Sequence, residues 1–552
     1  MVNAVTLAEA TPIVEKLGLI VPEIVLFVGA CVVMMLGLSP SHSVRKACVP
    51  FAVLSLIAAG VMAAITGGHV AESMAGHPFP QFVPYAKGLV AIVGIILVMG
   101  LAGTVDVALE RSFQSGRQAF EAIRTNRGEF YAFFLFSLCG LMLCASADDL
   151  IWLFLALELT SLPTYVMVAI STARTRSQEA GVKYFFLGAF GAATFLLGFA
   201  MLYGLAGTTL LFGDAGVPTV MTALLDMREA SATAEAAGGI GTLATIGLVL
   251  SVIGLCFKIA AVPMHFYTAD VYQGAAPGVT AMLAFVPKAA GIFALVLLLG
   301  TVGWDFGVAG SSLPTPIREL LWVLAAVTMV VGNVLALLQS SVKRMLAYSS
   351  VAHSGYMLVG LIAGPAIAVA DNGVAATLFY LLCYGCMNPA AFLVLASLER
   401  RGESIETVDD LRGLCAGRPL LGYSMVLGSL SLLGLPPLLG FWGKLHLFTS
   451  AVSAGEIALV VLLGVTSAIA AFYYLRLAGA PFLEDQSERE RDIRLSPAFP
   501  RVAAAVLSAG SVVALALFTT SLMRAAGAAG STPQEAASAE PQGDRITLAA
   551  PE

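Results

Sequence analysis

Residues 255–276 read LCFKIAAVPMHFYTADVYQGAA, and residues 431–448 read SLLGLPPLLGFWGKLHLF. Both stretches lie in long apolar runs, and both hold prolines that a continuous helix does not accommodate: Pro263 in the first, Pro436 and Pro437 with Gly434 and Gly440 in the second. An interior proline removes a backbone hydrogen bond and kinks or breaks a helix. In lipid, the freed polar groups survive only where protein buries them or a wet cavity reaches them. Paired interruptions in two halves of a chain point to an ion pathway at a repeat interface. Each stretch also carries a lysine: Lys258 lies five residues before Pro263, and Lys444 seven residues after Pro437.

The rest of the chain supports a reading in lipid. Of its 552 residues 58% are hydrophobic and only 12% charged, with a mean hydropathy of +0.89; charged residues make up about a quarter of a soluble protein. One crossing takes roughly 20 apolar residues. Apolar runs fall at 20–38, 49–66, 86–105, 130–147, 149–171, 180–206, 241–272, 276–300, 318–338, 343–363, 373–398, 421–452, 456–478 and 502–523. The expected fold is an all-α membrane protein of about 14 transmembrane helices.

Loop charge tests that count, because short cytoplasmic loops concentrate Lys and Arg. Alternate loops hold Arg45 and Lys46; Arg111, Arg117, Arg124 and Arg127; Arg174, Arg176 and Lys183; Lys343 and Arg344; Arg400, Arg401, Arg412 and Arg418; and Arg476, Arg489, Arg491, Arg494 and Arg501. These are 20 of the 29 basic residues. The opposite side holds Lys16, Lys87, Arg228, Arg318, Arg524 and Arg545. Both termini are therefore expected to face outward. The net charge of −6 is spread over short loops without a basic stripe, so nucleic acid is not an expected partner.

Several features have plain readings. The eight cysteines are scattered; Cys383 and Cys386 form C-x-x-C, but no second pair or nearby His completes a metal site, and they read as core. The first apolar run has acidic flanks and no small-residue cleavage site, and reads as a retained helix. Segment 107–128 reads as a solvated cytoplasmic connector, the alternative being a specific lipid site. The tail from about 525 is rich in Ala, Gly, Ser, Pro and Glu, and is expected to be disordered.

Four ionisable residues fall inside spans: Glu158, Lys258, Lys288 and Lys444. A charge at a helix centre costs about 2.5–3.5 kcal/mol on translocon scales, so such residues are candidates for function; the alternative is a structural ion pair or a snorkelling lysine. Burial disfavours the charged form of an amine and a neighbouring carboxylate restores it, so a lysine held between the two can take up or release a proton. His353 lies about ten residues into the tenth span and reads either as a proton relay or as a histidine bonded between helices. His265, just after Pro263, is expected to line the same break. Lys183 begins the sixth span and is expected to snorkel. No nucleophile with its base, phosphate loop or haem or cluster ligand set is visible.

Pro263 and Pro436 are 173 residues, or five helices, apart. An odd number inverts the second unit, which predicts inverted repeats of helices 4–8 and 9–13 with helices 7 and 12 broken. Both lysines then fall on the outward side of their breaks. The expected segments are 1–128, an N-terminal three-helix segment; 129–300 and 301–480, the two repeats; 481–524, a linker and helix 14; and 525–552, the tail.

DDLIWLFLALELTSLPTYVMVA (148–169), EAGVKYFFLGAF (179–190), FKIAAVPMHFYTADVYQGAAPGVTA (257–281), KRMLAYSSVAHSGYML (343–358), DLRGL (410–414) and SLLGLPPLLGFWGK (431–444) occur in order. Over roughly residues 20 to 480 the chain resembles the subunit N family of bacterial NADH-quinone oxidoreductase, respiratory complex I. The resemblance implies an antiporter-like fold in the proton-pumping arm, in the bacterial inner membrane with both termini periplasmic. It also implies a relay of Glu158, Lys258, Lys288 and Lys444 on helices 5, 7, 8 and 12. No cofactor is implied in this chain; NADH, flavin, iron–sulfur clusters and quinone would belong to partner subunits. Those partners would be antiporter-like sister subunits and small membrane subunits, together with lipids. The family's Trp-Thr-Pro-Asp is Tyr267-Thr268-Ala269-Asp270 here, and its GAP is GAAPG at 274–278. Sister subunits usually carry His-x-Trp-Leu-Pro-Asp-Ala-His where DVYQG stands here, which favours N. The alternatives are a cation/proton antiporter subunit and a non-pumping scaffold.

Overall fold

In the computed structural model, residues 17–73, 76–172, 174–213, 216–232, 240–305, 312–400, 403–483, 493–495 and 499–533 are described. Twelve of the helices within them are long and apolar enough to cross a membrane, from His42–Gly68 to Phe499–Ala529. Two shorter apolar helices, Val21–Gly37 and Pro419–Leu433, occupy the first run and the first half of the twelfth. This is a multi-pass, almost entirely helical protein. Residues Lys16, Arg401, Arg489, Arg491 and Arg545 lie outside the described residues.

Three helices form the centre. Every residue of Pro277–Val302 and of Gly373–Ser397 is buried, and nearly all of Val342–Ala363. A helix that is apolar all round must be covered all round, and these are the eighth, eleventh and tenth runs of the sequence. The outer helices show the opposite pattern: Phe27, Ile65, Phe186, Phe190 and Phe472 are exposed, a belt of large apolar side chains suited to lipid. Small residues set the closest crossings. A Cβ on Gly198 would lie 2.4 Å from Ser251 Oγ, and one on Gly332 would lie 2.5 Å from the Ala352 nitrogen.

The two broken spans share one local construction. Helix Thr242–Ile259 ends at Ala260, with φ +56°, and helix Pro419–Leu433 ends at Gly434, with φ +92°. The following amide closes a six-residue loop in both: Ala261 N to Cys256 O at 2.9 Å, and Leu435 N to Leu430 O at 3.0 Å. This is the left-handed helix cap that glycine normally supplies. The chain then runs through Val262–Pro263 or Pro436–Pro437, both cis. It re-enters helix at Thr268–Gly274 and Leu439–Ser453.

The periphery departs from expectation in three places. Loop 399–420 and the segment after the thirteenth span build a small antiparallel sheet from Leu398–Arg400, Glu403–Ser404 and Ile493–Leu495. The connector 107–128 contains a helix, Val107–Gln114, whose Glu110 is buried, so it is more than a solvated loop. The last helix continues to Ala529 with Met523, Ala526 and Ala529 buried, and Asn372 Nδ2 donates to the Gly530 carbonyl at 3.0 Å. Packing against the eleventh span thus orders residues expected in the tail; those from 534 on lie outside the described residues.

Candidate functional site

The fifth span, Leu150–Ile170, starts at Asp149, whose carboxylate accepts from the Ile151 and Trp152 amides and caps the helix. Glu158 and Ser161, three residues apart, share a face of that helix. Lys258 meets them from the last turn of Thr242–Ile259: its Nζ donates to Glu158 Oε1 at 3.0 Å and to Ser161 Oγ at 2.6 Å. The Lys258 side chain is 1% exposed and that of Glu158 18%. The Phe195 ring of the sixth span lies 5.6 Å from Nζ. Two of the four predicted residues therefore form a direct ion pair.

Lys288 is the twelfth residue of Pro277–Val302. It has no carboxylate partner among the described residues. Its Nζ donates to the Ser350 carbonyl and lies 4.7 Å over the Tyr384 ring. Tyr384 in turn donates to Ser350 Oγ at 2.9 Å, so Ser350 holds both the amine and the phenol.

His353 is one turn further along the tenth span. Nδ1 is 2.5 Å from Tyr380 OH and Nε2 is 2.9 Å from Tyr474 OH, so both ring nitrogens are hydrogen-bonded to phenols. Tyr474 OH also bonds Ser349 Oγ. This is the arrangement of a histidine bonded between helices, and its partners are hydroxyls that can pass a proton. A second cluster lies beside it: Asn333 Nδ2 donates to Tyr356 OH and Tyr473 OH donates to Asn333 Oδ1, both at 2.9 Å. The Tyr356 ring lies 5.2 Å from Lys444 Nζ. Lys444 Nζ donates to the Leu433 carbonyl, the last of the first half-helix, at 2.7 Å.

Neighbouring side chains satisfy backbone groups freed at both breaks. Ser354 Oγ donates to the Ile259 carbonyl, and the Val262 amide donates to Thr328 Oγ1 at 3.0 Å. In the second break Ser431 Oγ accepts from the Gly440 amide at 3.1 Å. Gly434 has a further reason to be glycine, because a Cβ there would sit 3.0 Å from Lys444 Cδ.

His265 is in the first break but is not joined to the ionisable residues; its Nδ1 has no hydrogen-bond partner among the described residues. Lys183 is exposed and pairs with Glu179 at 2.6 Å and Asp270 at 3.6 Å, instead of reaching the interface unpaired. Cys383 and Cys386 are buried free thiols. Among the described residues no group of three or more His, Cys, Asp or Glu is placed to hold a metal.

Sequence reasoning missed two features. Lys87, counted among loop residues, is buried in Phe82–Gly100 and pairs with Glu23 Oε1 at 2.8 Å; it also donates to the Leu19 carbonyl at 2.5 Å. The signal was an acid and a base, each near the start of its run. Asn388, in Gly373–Ser397, is 1% exposed, and neither amide atom has a partner among the described residues. The i, i+4, i+8 spacing of Tyr380, Tyr384 and Asn388 could have placed it on the face toward His353.

The sequence model of the NADH:quinone oxidoreductase/Mrp antiporter transmembrane family matches residues 147–470, which hold both breaks and all four ionisable positions. NADH-quinone oxidoreductase subunit N of Trichlorobacter lovleyi is 36% identical over 500 residues, covering 90% of this chain and 94% of that protein. The subunit of the same name from Rhodospirillum rubrum is 34% identical over 475 residues, covering 86% and 89%. Among solved structures, a chain of respiratory complex I from Thermus thermophilus with bound aureothin superposes with a TM-score of 0.69 at 32% identity, covering 92% of this chain and 99% of that one. A chain of the Mrp complex from Dietzia sp. shares the fold, with a TM-score of 0.69 at 20% identity over 94% and 99% of the two chains. By its breaks, its buried ionisable residues and these likenesses, the chain belongs to the NADH:quinone oxidoreductase/Mrp antiporter family, among the N subunits of NADH-quinone oxidoreductase.

Proposed function

We propose that this chain is a proton-translocating subunit in the membrane arm of an NADH-quinone oxidoreductase, moving protons along Glu158, Lys258, Lys288 and Lys444. The observation that carries this reading is the sequence of exchangeable groups inside the bundle. It consists of the Glu158–Lys258 pair, then Lys288 with Ser350 and Tyr384, then His353 between two phenols, then Lys444. Lys288 and Lys444 donate to backbone carbonyls and not to carboxylates, so neither is held in a fixed ion pair. His353 joins the relay through Tyr380 and Tyr474; His265 has no part in it.

The paired caps at Ala260 and Gly434, 174 positions apart, support helices 4–8 and 9–13 as inverted repeats in a fourteen-helix chain. The basic-loop alternation supports both termini facing the periplasm of a bacterial inner membrane. NADH oxidation, flavin, iron–sulfur clusters and quinone are assigned to partner subunits, with antiporter-like sisters and small membrane subunits as neighbours. Purification in mild detergent tests this. Co-purifying NADH-oxidising peripheral subunits and NADH-driven acidification of reconstituted vesicles are expected. A set of small antiporter subunits without NADH oxidation overturns the reading.

A further inference from the structure

A cavity of 490 Å³ lies on the membrane face that carries the basic loops, away from the relay. It is a half-open cleft lined by the turn after the first span, the starts of the second, fourth and last spans, the end of the third span and the connector helix Val107–Gln114. Four cations line it, Arg45, Lys46, Arg111 and Arg127, against one carboxylate, Glu110.

Glu110 is fully committed. Arg45 donates to it through Nε at 2.7 Å and NH2 at 2.8 Å, His42 Nδ1 is 2.6 Å away, and Arg127 NH1 is 3.5 Å away. Burial pushes its carboxyl up, but the Arg45 and His42 hydrogen bonds and the Arg127 charge outweigh burial and hold it at about 2. It is therefore ionised and cancels one guanidinium. Arg45, 2% exposed, is further fixed by the Ser39 and Pro40 carbonyls and by the Phe120 ring at 4.4 Å, so it forms the rigid floor. Lys46 and Arg111 are exposed and have no acidic partner among the described residues. The site thus keeps an uncompensated positive charge at a helix-end level. Its rim is apolar: Val49, Pro50 and Phe499, the last 80% exposed.

We propose that this cavity binds the phosphodiester headgroup of an anionic phospholipid, with Lys46, Arg111 and Arg127 on the phosphate and Phe499 against the acyl chains. Basic pockets between membrane helices select anionic headgroups in this way. A free phosphate shares the charge chemistry but gains nothing from the apolar rim, so the lipid is favoured. Bound there, the lipid bridges the turn after the first span, the connector and the start of the fourth span through its phosphate, and meets the last span through its acyl chains.

The test is native mass spectrometry of the protein, purified from its own membranes in mild detergent and titrated with phosphatidylglycerol. Lys46→Gln/Arg111→Gln alters only exposed side chains and leaves the Arg45–Glu110 pair intact. At about 1 kcal/mol per basic residue, the tightest phosphatidylglycerol midpoint should weaken on the order of 30-fold. Lys46→Arg/Arg111→Lys should retain it, and phosphatidylcholine should not fill the site. An unchanged midpoint in the glutamine variant overturns the proposal. So does displacement of the lipid by equimolar inorganic phosphate, which assigns the cavity to the free anion. A photoreactive benzoylphenylalanine replacing Phe499 should label phospholipid; labelling of a polypeptide instead makes the cavity a subunit contact and also overturns the proposal.

Discussion

Lys444 closes the break in its own span: its ammonium donates to the Leu433 carbonyl at 2.7 Å, the end of the half-helix that precedes it. Lys258, by contrast, sits two residues before its break, and there Ser354 takes the Ile259 carbonyl. The two halves therefore solve the same backbone problem differently. In the second, the cation that stabilises a negative helix end is also the candidate proton carrier.

Lys444 thus has a structural and a relay reading, which two substitutions separate. Lys444→Ala removes both the donor and the proton site. Lys444→Arg restores a cation at the helix end but is effectively never deprotonated. If the residue releases a proton, both variants should assemble with strongly reduced acidification in reconstituted vesicles. Near-native pumping in both makes Lys444 dispensable. Assembly lost in alanine and restored with full pumping in arginine makes it a helix-end anchor only.

Glu158→Gln keeps the size of the side chain and removes the counterion, leaving Lys258 with Ser161 Oγ and the Phe195 ring. A carboxylate within about 4–6 Å of an amine biases its proton exchange by roughly an order of magnitude or more, so proton pumping should fall on the order of tenfold or more. Glu158→Asp should fall between the two. A native rate for Glu158→Gln in vesicles removes the pair from the relay.

The Glu23–Lys87 pair, both side chains 3% exposed, joins the first and third spans away from the relay. Glu23→Leu or Lys87→Met alone strands a buried charge and should lower stability by about 3–5 kcal/mol, whereas the double variant should be near neutral. Thermal unfolding in detergent reads this directly. A loss in the double variant equal to the sum of the two single losses would mean that the pair is not coupled.

Side-specific labelling tests the orientation. The exposed Ser115, in the basic connector, and Val217, after the sixth span, should lie on opposite faces. An impermeant maleimide should therefore label Ser115→Cys only from the cytoplasmic side and Val217→Cys only from the periplasmic side. Reaction of both from one face refutes the alternation.

The breaks at Pro263 and Pro437 were legible because proline inside an apolar run has few uses in lipid, and Glu158, Lys258, Lys288 and Lys444 because a charge in a span is rare. The links between them were not. Tyr380, Tyr384, Tyr474, Ser350 and Asn333 read as ordinary helix residues, and only the packing of the ninth, tenth, eleventh and thirteenth spans brings Tyr380 and Tyr474 to His353, Ser350 and Tyr384 to Lys288, and Asn333 to the Tyr356 beside Lys444. Lys87 escapes notice because a lysine six residues past Gln81 looks interfacial until Glu23 is seen beside it. The end of the last helix was hidden for a similar reason: the Ala- and Gly-rich residues after 525 pass for tail, yet small side chains let Gly527 and Gly530 approach Val369 and Ala375.

Asn388 gives the last prediction. It follows Tyr384 by one helical turn, and neither amide atom has a partner among the described residues. A buried polar group left unpaired costs about 1–3 kcal/mol, so an amide kept there needs water. Water at that point, one helical turn from the Tyr384 ring that meets Lys288 and His353, would supply protons to the centre. Asn388→Leu matches the volume without the polarity; it should leave the protein as stable or slightly more so while slowing proton transfer severalfold. Asn388→Asp keeps a polar group and should retain more of the rate. Stability that rises while vesicle acidification stays native would show an unsatisfied amide with no water path behind it.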